Sequence, residues 1–421
     1  MNTSWYASAR PVYSGANEVV PLRGSEALFP AMHEAIAGAR SEIWVVTYIF
    51  SQDASAWALA QALAQAAQRG VQVRVVLDGF GGADAVTALR QLLEPAGAGL
   101  AVFRPLVSWR AWLQPSQLRR LHQKLCVVDG EVGFVGGINL IDDHYDPRHG
   151  WDAAPRLDYA VRLRGPVVEP VVQTARAMWT RATLGTDWRD EVRSIARDPQ
   201  PIRATRDVLR KLRIVAPVDD FEPEVDALPA VRAAFVVRDN LRQRRTIERA
   251  YIQALRQARE RVDLVSPYFY PGNNFRRALR DAAKRGVKVR LLLQGKADYR
   301  IAAIAARALY QELLAHGVRI YEYQPAFLHA KVALVDRHWA TVGSSNIDPL
   351  SLLLNLEANV IVRDRGFVDL LRGQLDRDYA AALEISLEQP GESTLLSRAR
   401  RVCVAWMARA YLRVAGVSGK Y

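Results

Sequence analysis

Two nine-residue segments of the sequence are nearly identical and carry the same chemically active residue types. Leu121–Asp129 reads LHQKLCVVD and Leu328–Asp336 reads LHAKVALVD, so both contain histidine, lysine and aspartate in the spacing H-x-K-x4-D. The chain has only seven histidines among 421 residues, so a chance repeat of this spacing is not expected. The repeat indicates a duplicated unit and favours one site built from both copies.

The histidine and the lysine of each segment are two positions apart, as His122 and Lys124 and as His329 and Lys331. In a β-strand, residues two positions apart project from the same face. A neutral imidazole can attack an electrophile or transfer a proton near neutral pH, and lysine offers positive charge and three donors to an anion. Two such pairs in one cleft would suit a phosphodiester: one histidine attacks phosphorus, the other protonates the leaving oxygen, and the lysines hold the non-bridging oxygens.

The residues after each motif support this interpretation. Gly133–Asn139 and Ala340–Asn346 both have the pattern of a buried strand that ends in a turn of small residues with an asparagine. Small residues allow backbone N–H groups to approach an anion closely, and the amides of Asn139 and Asn346 add donors. A structural strand with a solvated lysine would explain one copy, but it does not explain two.

Carboxylates stand at the start of a later strand in each half, at Asp158 and Glu357. A catalytic histidine usually needs a carboxylate to fix its tautomer, although an ordinary strand-end charge is the alternative. The motif aspartates, Asp129 and Asp336, belong to the signature but lie five residues beyond their lysines. Strand alternation would turn them away from the lysines, which favours a structural role near the site.

With these two motifs and the segments that follow them, the chain resembles the phospholipase D superfamily. The resemblance is closest to the bacterial cardiolipin synthases, specifically the shorter type without N-terminal transmembrane helices, and extends from about Asn17 to about Tyr379. The duplicated motif, with a glycine-rich segment and an asparagine after it, carries the resemblance to the superfamily. Longer segments carry the resemblance to the synthase branch: Trp44–Phe50, Arg69–Gly79, Leu157–Val168 and His338–Val360.

The resemblance implies an α/β fold of two phospholipase-D-like α/β/α domains, related by a pseudo-twofold axis and sharing one active site. It also implies phosphatidyl transfer between two phosphatidylglycerol molecules with release of glycerol, through a phosphatidyl-histidine intermediate. No cofactor and no metal is expected, since Lys124 and Lys331 supply the charge that a metal would bring.

Residue roles also follow from the resemblance. It implies that His122 is the nucleophile and that His329 is the general acid and base. The orienting carboxylate comes from the opposite half in related enzymes, which pairs His122 with Glu357 and His329 with Asp158. The two asparagines are expected to contact the phosphate.

The sequence around the motifs repeats as well, which predicts two domains. In the first half we predict helices at 31–39 and 56–68 and strands at 42–48 and 71–77; in the second half, helices at 246–258 and 275–284 and strands at 261–265 and 287–293. Gly70 and Gly286 are predicted to end helices in the left-handed conformation. Alternating helices and strands indicate sheets with helices on both faces, and two such sheets packed face to face would bring the motifs together.

A chain of 421 residues also suits two domains. We expect a first domain at 17–185, a linker or surface excursion at 186–230, a second domain at 231–390 and a basic amphipathic tail at 391–421. Cys126 and Cys403 imply neither a disulfide framework nor a zinc cluster, so a reducing cytoplasm is the natural compartment. Cys126 is expected to be a small core residue.

The net charge of +13 and the pI near 9.9 indicate a polyanionic partner, either nucleic acid or an anionic membrane surface, although simple solubility in an arginine-rich proteome is the alternative. The resemblance favours a phosphatidylglycerol-containing membrane, and no nucleic acid is expected. No window of the sequence has the length and apolar character of a transmembrane helix or a signal peptide. We therefore expect a peripheral protein on the cytoplasmic side of the cell membrane.

Two segments have the composition of membrane contacts. Trp109–Arg120 places tryptophans beside arginines directly before the first motif, although it could instead be a partly buried loop over the site. Thr394–Leu412 forms an apolar stripe flanked by arginines on a helical wheel, although it could instead pack on a domain.

Other functions remain open from the sequence. A nuclease, another phosphodiesterase or a phospholipase D of the same superfamily shares the motifs and the basic charge. A binding module without catalysis is a third possibility, which the two intact motifs disfavour. The phosphatidyl acceptor and the oligomeric state are not determined by the sequence.

Overall fold

The computed structural model describes residues 5, 6, 8, 10–105, 119–146, 150–186, 231–239, 243–296, 309–348, 351–352 and 355–386. The linker proposed at 186–230 lies almost entirely outside the described residues. So do Cys403, the proposed tail at 391–421 and most of the aromatic and basic segment at 109–120. The domain boundaries stay a prediction.

The first half of the chain contains a sheet with helices after its strands. Its strands are β1 (Ser14–Arg23), β2 (Glu42–Thr47), β3 (Gln72–Asp78), β4 (Gly99–Phe103), β5 (Leu125–Val128), β6 (Val132–Gly136) and β9 (Tyr159–Arg164), and a small hairpin is formed by β7 (Tyr145–Asp146) and β8 (Gly150–Trp151). Its helices are α1 (Gly24–Ala37), α2 (Ala54–Gln68), α3 (Val86–Leu93) and α4 (Val168–Thr186).

The second half repeats this order. Its strands are β10 (Val231–Arg238), β11 (Arg261–Ser266), β12 (Lys288–Gln294), β13 (Arg319–Tyr323), β14 (Val332–Val335), β15 (Trp339–Gly343), β16 (Glu357–Arg363) and β17 (Ala382–Ile385). Its helices are α5 (Thr246–Gln257), α6 (Asn273–Lys284) and α7 (Arg365–Ala380). The mixed α/β class and the predicted helices and strands are confirmed.

Local sequence signals explain some of the helix ends. The Asp53 side chain accepts the backbone N–H of Ala56 at 2.9 Å and caps α2. Gly70 and Gly286 have φ of +92° and +86°, so both adopt the predicted left-handed conformation just after a helix. Helix α1 begins seven residues before the predicted start at Ala31. Its first turn is held by the Asp143 carboxylate, which accepts the backbone N–H of Ser25 from a distant loop.

All the main strands form one continuous sheet. Within the described residues this sheet has 15 strands in the order β17-β13-β12-β11-β14-β15-β16-β10-β1-β9-β6-β5-β2-β3-β4. The two halves meet where β1 pairs antiparallel with β10, and the side-chain amide of Asn17 reinforces the join by donating to the Val231 carbonyl at 3.0 Å. The sequence predicted two sheets and did not reveal this edge-to-edge pairing.

The two halves also share a core, as expected for sheets that pack face to face. On β9, Val161 and Leu163 point into the shared core, whereas Ala160 points toward α1 and its neighbouring helices. On β14, Val332 and Leu334 do the same from the other half. Helices α4 and α7 complete the shared core, and the remaining helices cover the outer faces.

Cys126 is 2% exposed and lies in the core beneath the first motif, as predicted. Burial raises the pKa of its thiol to about 12, so this cysteine is chemically inert at neutral pH. Within the described residues, no helix combines the length and the apolar character needed to cross a bilayer.

Candidate active site

The two motif histidines meet where the halves face each other. The ring centroids of His122 and His329 lie 6.5 Å apart, with an angle of 66° between the ring planes. Lys124 and Lys331 each follow their histidine by two residues, and both lysine side chains are buried. The structure therefore brings both H-x-K pairs into one site, as the duplication indicated.

Backbone hydrogen bonds between the halves hold the histidines in place. The N–H of His122 donates to the carbonyl of Leu356 at 3.0 Å, and the N–H of His329 donates to the carbonyl of Leu157 at 2.8 Å. Leu356 and Leu157 each directly precede a strand-end carboxylate in the sequence. Each histidine is thus tied by its own backbone to the segment that carries the carboxylate of the other half.

Both predicted histidine–carboxylate pairs are present. His122 Nδ1 lies 3.0 Å from Glu357 Oε2, and His329 Nδ1 lies 2.6 Å from Asp158 Oδ2. Glu357 and Asp158 are almost completely buried. Each carboxylate accepts a hydrogen bond from Nδ1–H, which leaves the Nε2 lone pair of the neutral imidazole for chemistry.

The surroundings of the two carboxylates differ. Ser344 Oγ donates to Glu357 Oε2 at 2.5 Å and accepts the backbone N–H of Ala358 at 3.0 Å. The corresponding residue of the first half is Gly137, where an added Cβ would lie 2.4 Å from Asp158 Oδ1. The repeat has therefore diverged into a glutamate with a serine on one side and an aspartate with a glycine on the other.

The lysines lie close to the histidine backbone. Lys124 Nζ donates to the carbonyl of His122 at 2.8 Å, and Lys331 Nζ donates to the carbonyl of His329. Burial lowers the pKa of Lys124 to about 7 and that of Lys331 to about 8, although Glu357 and Asp158 act in the opposite direction. Each ammonium group has further N–H donors, which can hydrogen-bond to a bound anion.

Burial also sets the protonation of the histidines. It lowers the pKa of His122, with Lys124 adding to the effect and Glu357 opposing it. It lowers the pKa of His329 further, because Lys331, Lys124 and Arg156 all act in the same direction. Both imidazoles are therefore neutral at neutral pH, the form that a nucleophile requires.

The carboxylates respond differently to the same environment. Burial raises the pKa of Asp158 to about 6 against the opposing charge of Lys331. Burial acts on Glu357 as well, but His122 and Lys124 outweigh it and the pKa of Glu357 is lowered. Glu357 therefore remains ionised to lower pH than Asp158.

The two asparagines occupy equivalent buried positions. Asn139 and Asn346 are 6% and 7% exposed, and in each the Oδ1 atom lacks a hydrogen-bond partner within the described part of the chain. A buried amide with unused capacity is unusual in a folded protein. An amide oxygen can accept from a hydroxyl group but not bind a phosphate oxygen, so the predicted contact of these asparagines with phosphate through their NH2 groups stays a proposal.

The motif aspartates do not reach the histidines. Asp129 has a φ of +54° in the turn after β5, and its carboxylate accepts backbone N–H groups of residues 40–42 at 2.8 to 3.0 Å. Asp336 has a φ of +50° and accepts those of residues 259–261 at 2.8 to 3.0 Å. Both lie at the end of the strand opposite the histidine, so this geometry agrees with the structural role expected from strand alternation, and a direct catalytic role for the two aspartates stays a prediction.

Sequence reasoning missed three residues of the site. The Tyr48 ring centroid lies 5.1 Å from that of His122 and 5.4 Å from Lys124 Nζ. Gln123 Nε2 donates to the Glu357 carbonyl at 3.2 Å, and Arg156 contributes positive charge beside His329. None of the three has a counterpart of the same type in the other repeat, so the duplication could not reveal them.

No group of three or more histidine, cysteine, aspartate or glutamate side chains within the described ranges is arranged to hold a metal ion. The charge close to the histidines is supplied by Lys124, Lys331 and Arg156.

Comparison with known proteins adds an independent observation. A sequence family described as cardiolipin synthase, PLD-like domain, matches residues 32–151 and 251–379. The chain is 38% identical to cardiolipin synthase B of Escherichia coli (strain CFT073) over 365 residues, which is 87% of this chain and 81% of the relative. It is 32% identical to cardiolipin synthase A of Pseudomonas putida (strain GB-1) over 383 residues, 91% of this chain and 72% of the relative.

Among solved structures, the fold is similar to that of phosphatidylserine synthase from Haemophilus influenzae. The TM-score is 0.63 at 11% sequence identity, with 97% of this chain and 96% of the other covered. At this identity the similarity concerns the fold alone.

Proposed function

Since this chain belongs to the cardiolipin synthases of the phospholipase D superfamily, we propose that it joins two phosphatidylglycerol molecules and releases glycerol. As a phosphatidyltransferase it moves a phosphatidyl group between alcohols. The observation that carries the proposal is the arrangement of His122 and His329, whose rings lie 6.5 Å apart and whose Nδ1 atoms each contact a carboxylate of the opposite half.

The first step forms a covalent intermediate. Nε2 of His122 attacks the phosphorus of the first phosphatidylglycerol, a P–N bond forms and the P–O bond to the head-group glycerol breaks. His329 gives its Nε2 proton to the leaving oxygen, and glycerol departs. Glu357 stabilises the positive charge that develops on the His122 ring.

The second step reverses the proton transfer. A hydroxyl group of the second phosphatidylglycerol gives its proton to His329 while its oxygen attacks phosphorus. The P–N bond breaks, cardiolipin leaves, and His122 is neutral again. His329 regains the proton that it donated in the first step, so the cycle consumes no net proton.

Substrate binding supplies the protonated His329 that the first step needs. Burial and the neighbouring cations lower the pKa of His329 in the free enzyme. A phosphodiester bound between Lys124 and Lys331 brings a negative charge that offsets those cations and raises the pKa of His329. The acid is thus formed only when a substrate is present, which limits unproductive protonation.

The assignment of His122 as nucleophile rests on the family resemblance. The properties of Glu357, the carboxylate that contacts His122, support this assignment. The lowered pKa of Glu357 keeps this group ionised, and Ser344 holds it at 2.5 Å. A fixed anion beside the attacking imidazole stabilises the charged intermediate. Asp158 contacts Nδ1 of His329, so as an anion it can offset the positive charge that His329 carries when it acts as the acid.

We also propose peripheral attachment to the cytoplasmic face of a phosphatidylglycerol-containing membrane. The net charge of +13 supports attraction to an anionic surface. The indole of Trp151 is 67% exposed on the β7–β8 hairpin, which lies in the connection that follows Asn139. An exposed tryptophan on such a hairpin suits contact with lipid head groups.

The test is an assay of purified protein with phosphatidylglycerol vesicles, with glycerol and cardiolipin measured together. Equal amounts of glycerol and cardiolipin, unchanged by excess chelator, are expected because the lysines supply the charge at phosphorus. A parallel reaction with DNA tests the phosphodiesterase alternative. Phosphatidic acid in place of cardiolipin, or cleavage of DNA, would contradict the proposal.

A further inference from the structure

Two arginines lie directly opposite each other in the second half of the sheet, away from the histidines. Arg232 on β10 and Arg363 on β16 are register partners in an antiparallel pair, and both side chains are exposed. Like charges placed directly across an antiparallel pair are destabilising. An anion bound between the two guanidinium groups would remove this repulsion.

The first half provides an internal comparison for this position. Glu18 on β1 faces Arg164 on β9 in the equivalent register, and Arg162 also donates to Glu18 at 2.9 Å. Opposite charges therefore meet in one half and like charges in the other. Arg232 occupies the position that Glu18 has in the first half, so this arginine pair has no counter-ion of its own across the strands.

Both arginines lie against one aromatic ring. The guanidinium carbon of Arg363 is 4.4 Å from the Tyr13 ring centroid, and that of Arg232 is 6.0 Å from it. Burial raises the pKa of Tyr13, so its hydroxyl is neutral and contributes no negative charge. These contacts orient the guanidinium groups without neutralising them.

The arginines line an open cavity of about 580 Å³, together with Arg10, His338 and Trp339. Small apolar residues, Ala250, Ala254 and Val335, form part of its wall. This volume is within the range of about 300 to 1,000 Å³ that small-molecule sites occupy.

Asp336 is part of the cavity wall and Asp364 follows Arg363 in the sequence, but both carboxylates already accept backbone N–H groups. Asp336 accepts three backbone N–H groups of residues 259–261, and Asp364 accepts the N–H of Phe367 at 2.7 Å as the cap of α7. Within the part of the chain that the structure describes, Arg10, Arg232 and Arg363 form no ion pair. Three cationic side chains thus face one cavity without a carboxylate partner.

We propose that this cavity binds a phosphate-bearing anion, either a phospholipid head group or a free phosphate ester. Guanidinium groups bind phosphate oxygens in pairs, and Trp339 and the small apolar residues fit the glycerol portion of such a ligand. The cavity is separate from the histidine site. Lys331 and Asp336 lie at opposite ends of β14, five residues and therefore about 16 Å apart.

The test measures binding and not catalysis, so it can succeed or fail independently of the proposed function. The full chain carrying His122→Ala, which prevents turnover, is titrated calorimetrically with glycerol 3-phosphate. A second arm measures flotation with phosphatidylcholine vesicles that contain phosphatidylglycerol. Arg232→Glu is added as the test substitution, because it restores the opposite-charge pair of the first half and should preserve or raise the melting temperature.

Arg363→Gln and Arg164→Gln form a matched pair at equivalent strand positions of the two halves. We expect Arg232→Glu and Arg363→Gln each to weaken binding about tenfold or more, and Arg164→Gln to leave it unchanged. Loss confined to the glycerol 3-phosphate arm identifies a free phosphate ester, and loss in the vesicle arm identifies a lipid head group. The proposal would be overturned if, in both arms, the chain with Arg232→Glu bound as tightly as the chain carrying His122→Ala alone. It would also be overturned if Arg164→Gln weakened binding as much as Arg363→Gln.

Discussion

His122 and Glu357 come from different halves of the chain, and Nδ1 of the histidine lies 3.0 Å from Oε2 of the glutamate. His329 and Asp158 repeat this relationship in the opposite direction at 2.6 Å. Neither half therefore contains a complete histidine–carboxylate pair of its own. A duplicated domain has produced one site whose orienting groups are exchanged between the copies.

Removing the charge of either carboxylate should slow the reaction strongly while preserving the fold. In Glu357→Gln and Asp158→Asn the side-chain volume is kept, but the amide no longer fixes the Nδ1–H tautomer of the partner histidine. We expect kcat to fall by about 100-fold or more in each. The measurement is initial rates on phosphatidylglycerol vesicles, with circular dichroism as the control for folding. Near-normal rates in either variant would show that the pairing is not needed for catalysis.

Gly137 and Ser344 occupy equivalent positions, and we predict that exchanging either residue for its counterpart lowers kcat. Gly137→Ser places a Cβ 2.4 Å from Asp158 Oδ1 and must displace that carboxylate from His329. Ser344→Gly removes the donor 2.5 Å from Glu357 and leaves the buried carboxylate less well satisfied. We expect each to lower kcat by about tenfold.

Gly133→Ala is the matched control for these two variants. An added Cβ there would meet its nearest neighbour at 3.6 Å, which is ordinary contact, so its activity should be retained. Unchanged kcat in Gly137→Ser would mean that Asp158 tolerates displacement, and equal loss in Gly133→Ala would point to a general loss of folding.

The dependence of kcat/KM on pH should be bell-shaped, because this ratio reports the free enzyme. As pH falls through about 6, Asp158 takes up a proton and no longer fixes His329 as an anion. As pH rises through about 7 to 8, Lys124 and Lys331 lose the charge that attracts the phosphate. Substrate stabilises the charged lysines, so the alkaline limb of kcat should lie at higher pH than that of kcat/KM.

Initial rates across pH 5 to about 10 measure both profiles. An alkaline limb at the same pH in kcat and kcat/KM would contradict direct contact between the lysines and the phosphodiester.

The basic tail from Thr394 onward, which lies outside the described residues, should contribute to membrane binding. Each basic residue near an anionic surface contributes about 1 kcal/mol, so a chain truncated before Thr394 should float less completely with phosphatidylglycerol vesicles. Higher salt should similarly weaken the binding of the full-length chain to these vesicles, because it screens the charges. Equal flotation of both chains would indicate a helix that packs on the protein, and Trp109–Arg120 and Trp151 would remain as contacts to test.

The duplication explains how much of the site could be predicted from the sequence. The histidines, lysines, asparagines and strand-end carboxylates recur at equivalent positions, so each copy identified its counterpart. Tyr48, Gln123 and Arg156 occur in one half only, and nothing local distinguishes them from ordinary strand and loop residues. Their roles depend on contacts with distant parts of the chain.

Long-range pairing limited the prediction of the fold in the same way. The helices and strands have periodic patterns and recognisable ends, and these were predicted. The join between β1 and β10 depends on Asn17 and Val231, which lie more than two hundred positions apart. The opposition of Arg232 and Arg363 likewise becomes visible only when the strand register is known.

The most direct test of the central claim is to locate the covalent intermediate. The wild-type chain is mixed briefly with phosphatidylglycerol, quenched and digested, and the peptides are examined by mass spectrometry under conditions that preserve phosphoramidate bonds. We predict a phosphatidyl group on His122, none on His329, and no adduct at all in His122→Ala. A phosphatidyl group on His329, or full turnover by His122→Ala, would contradict the assignment of His122 as the nucleophile.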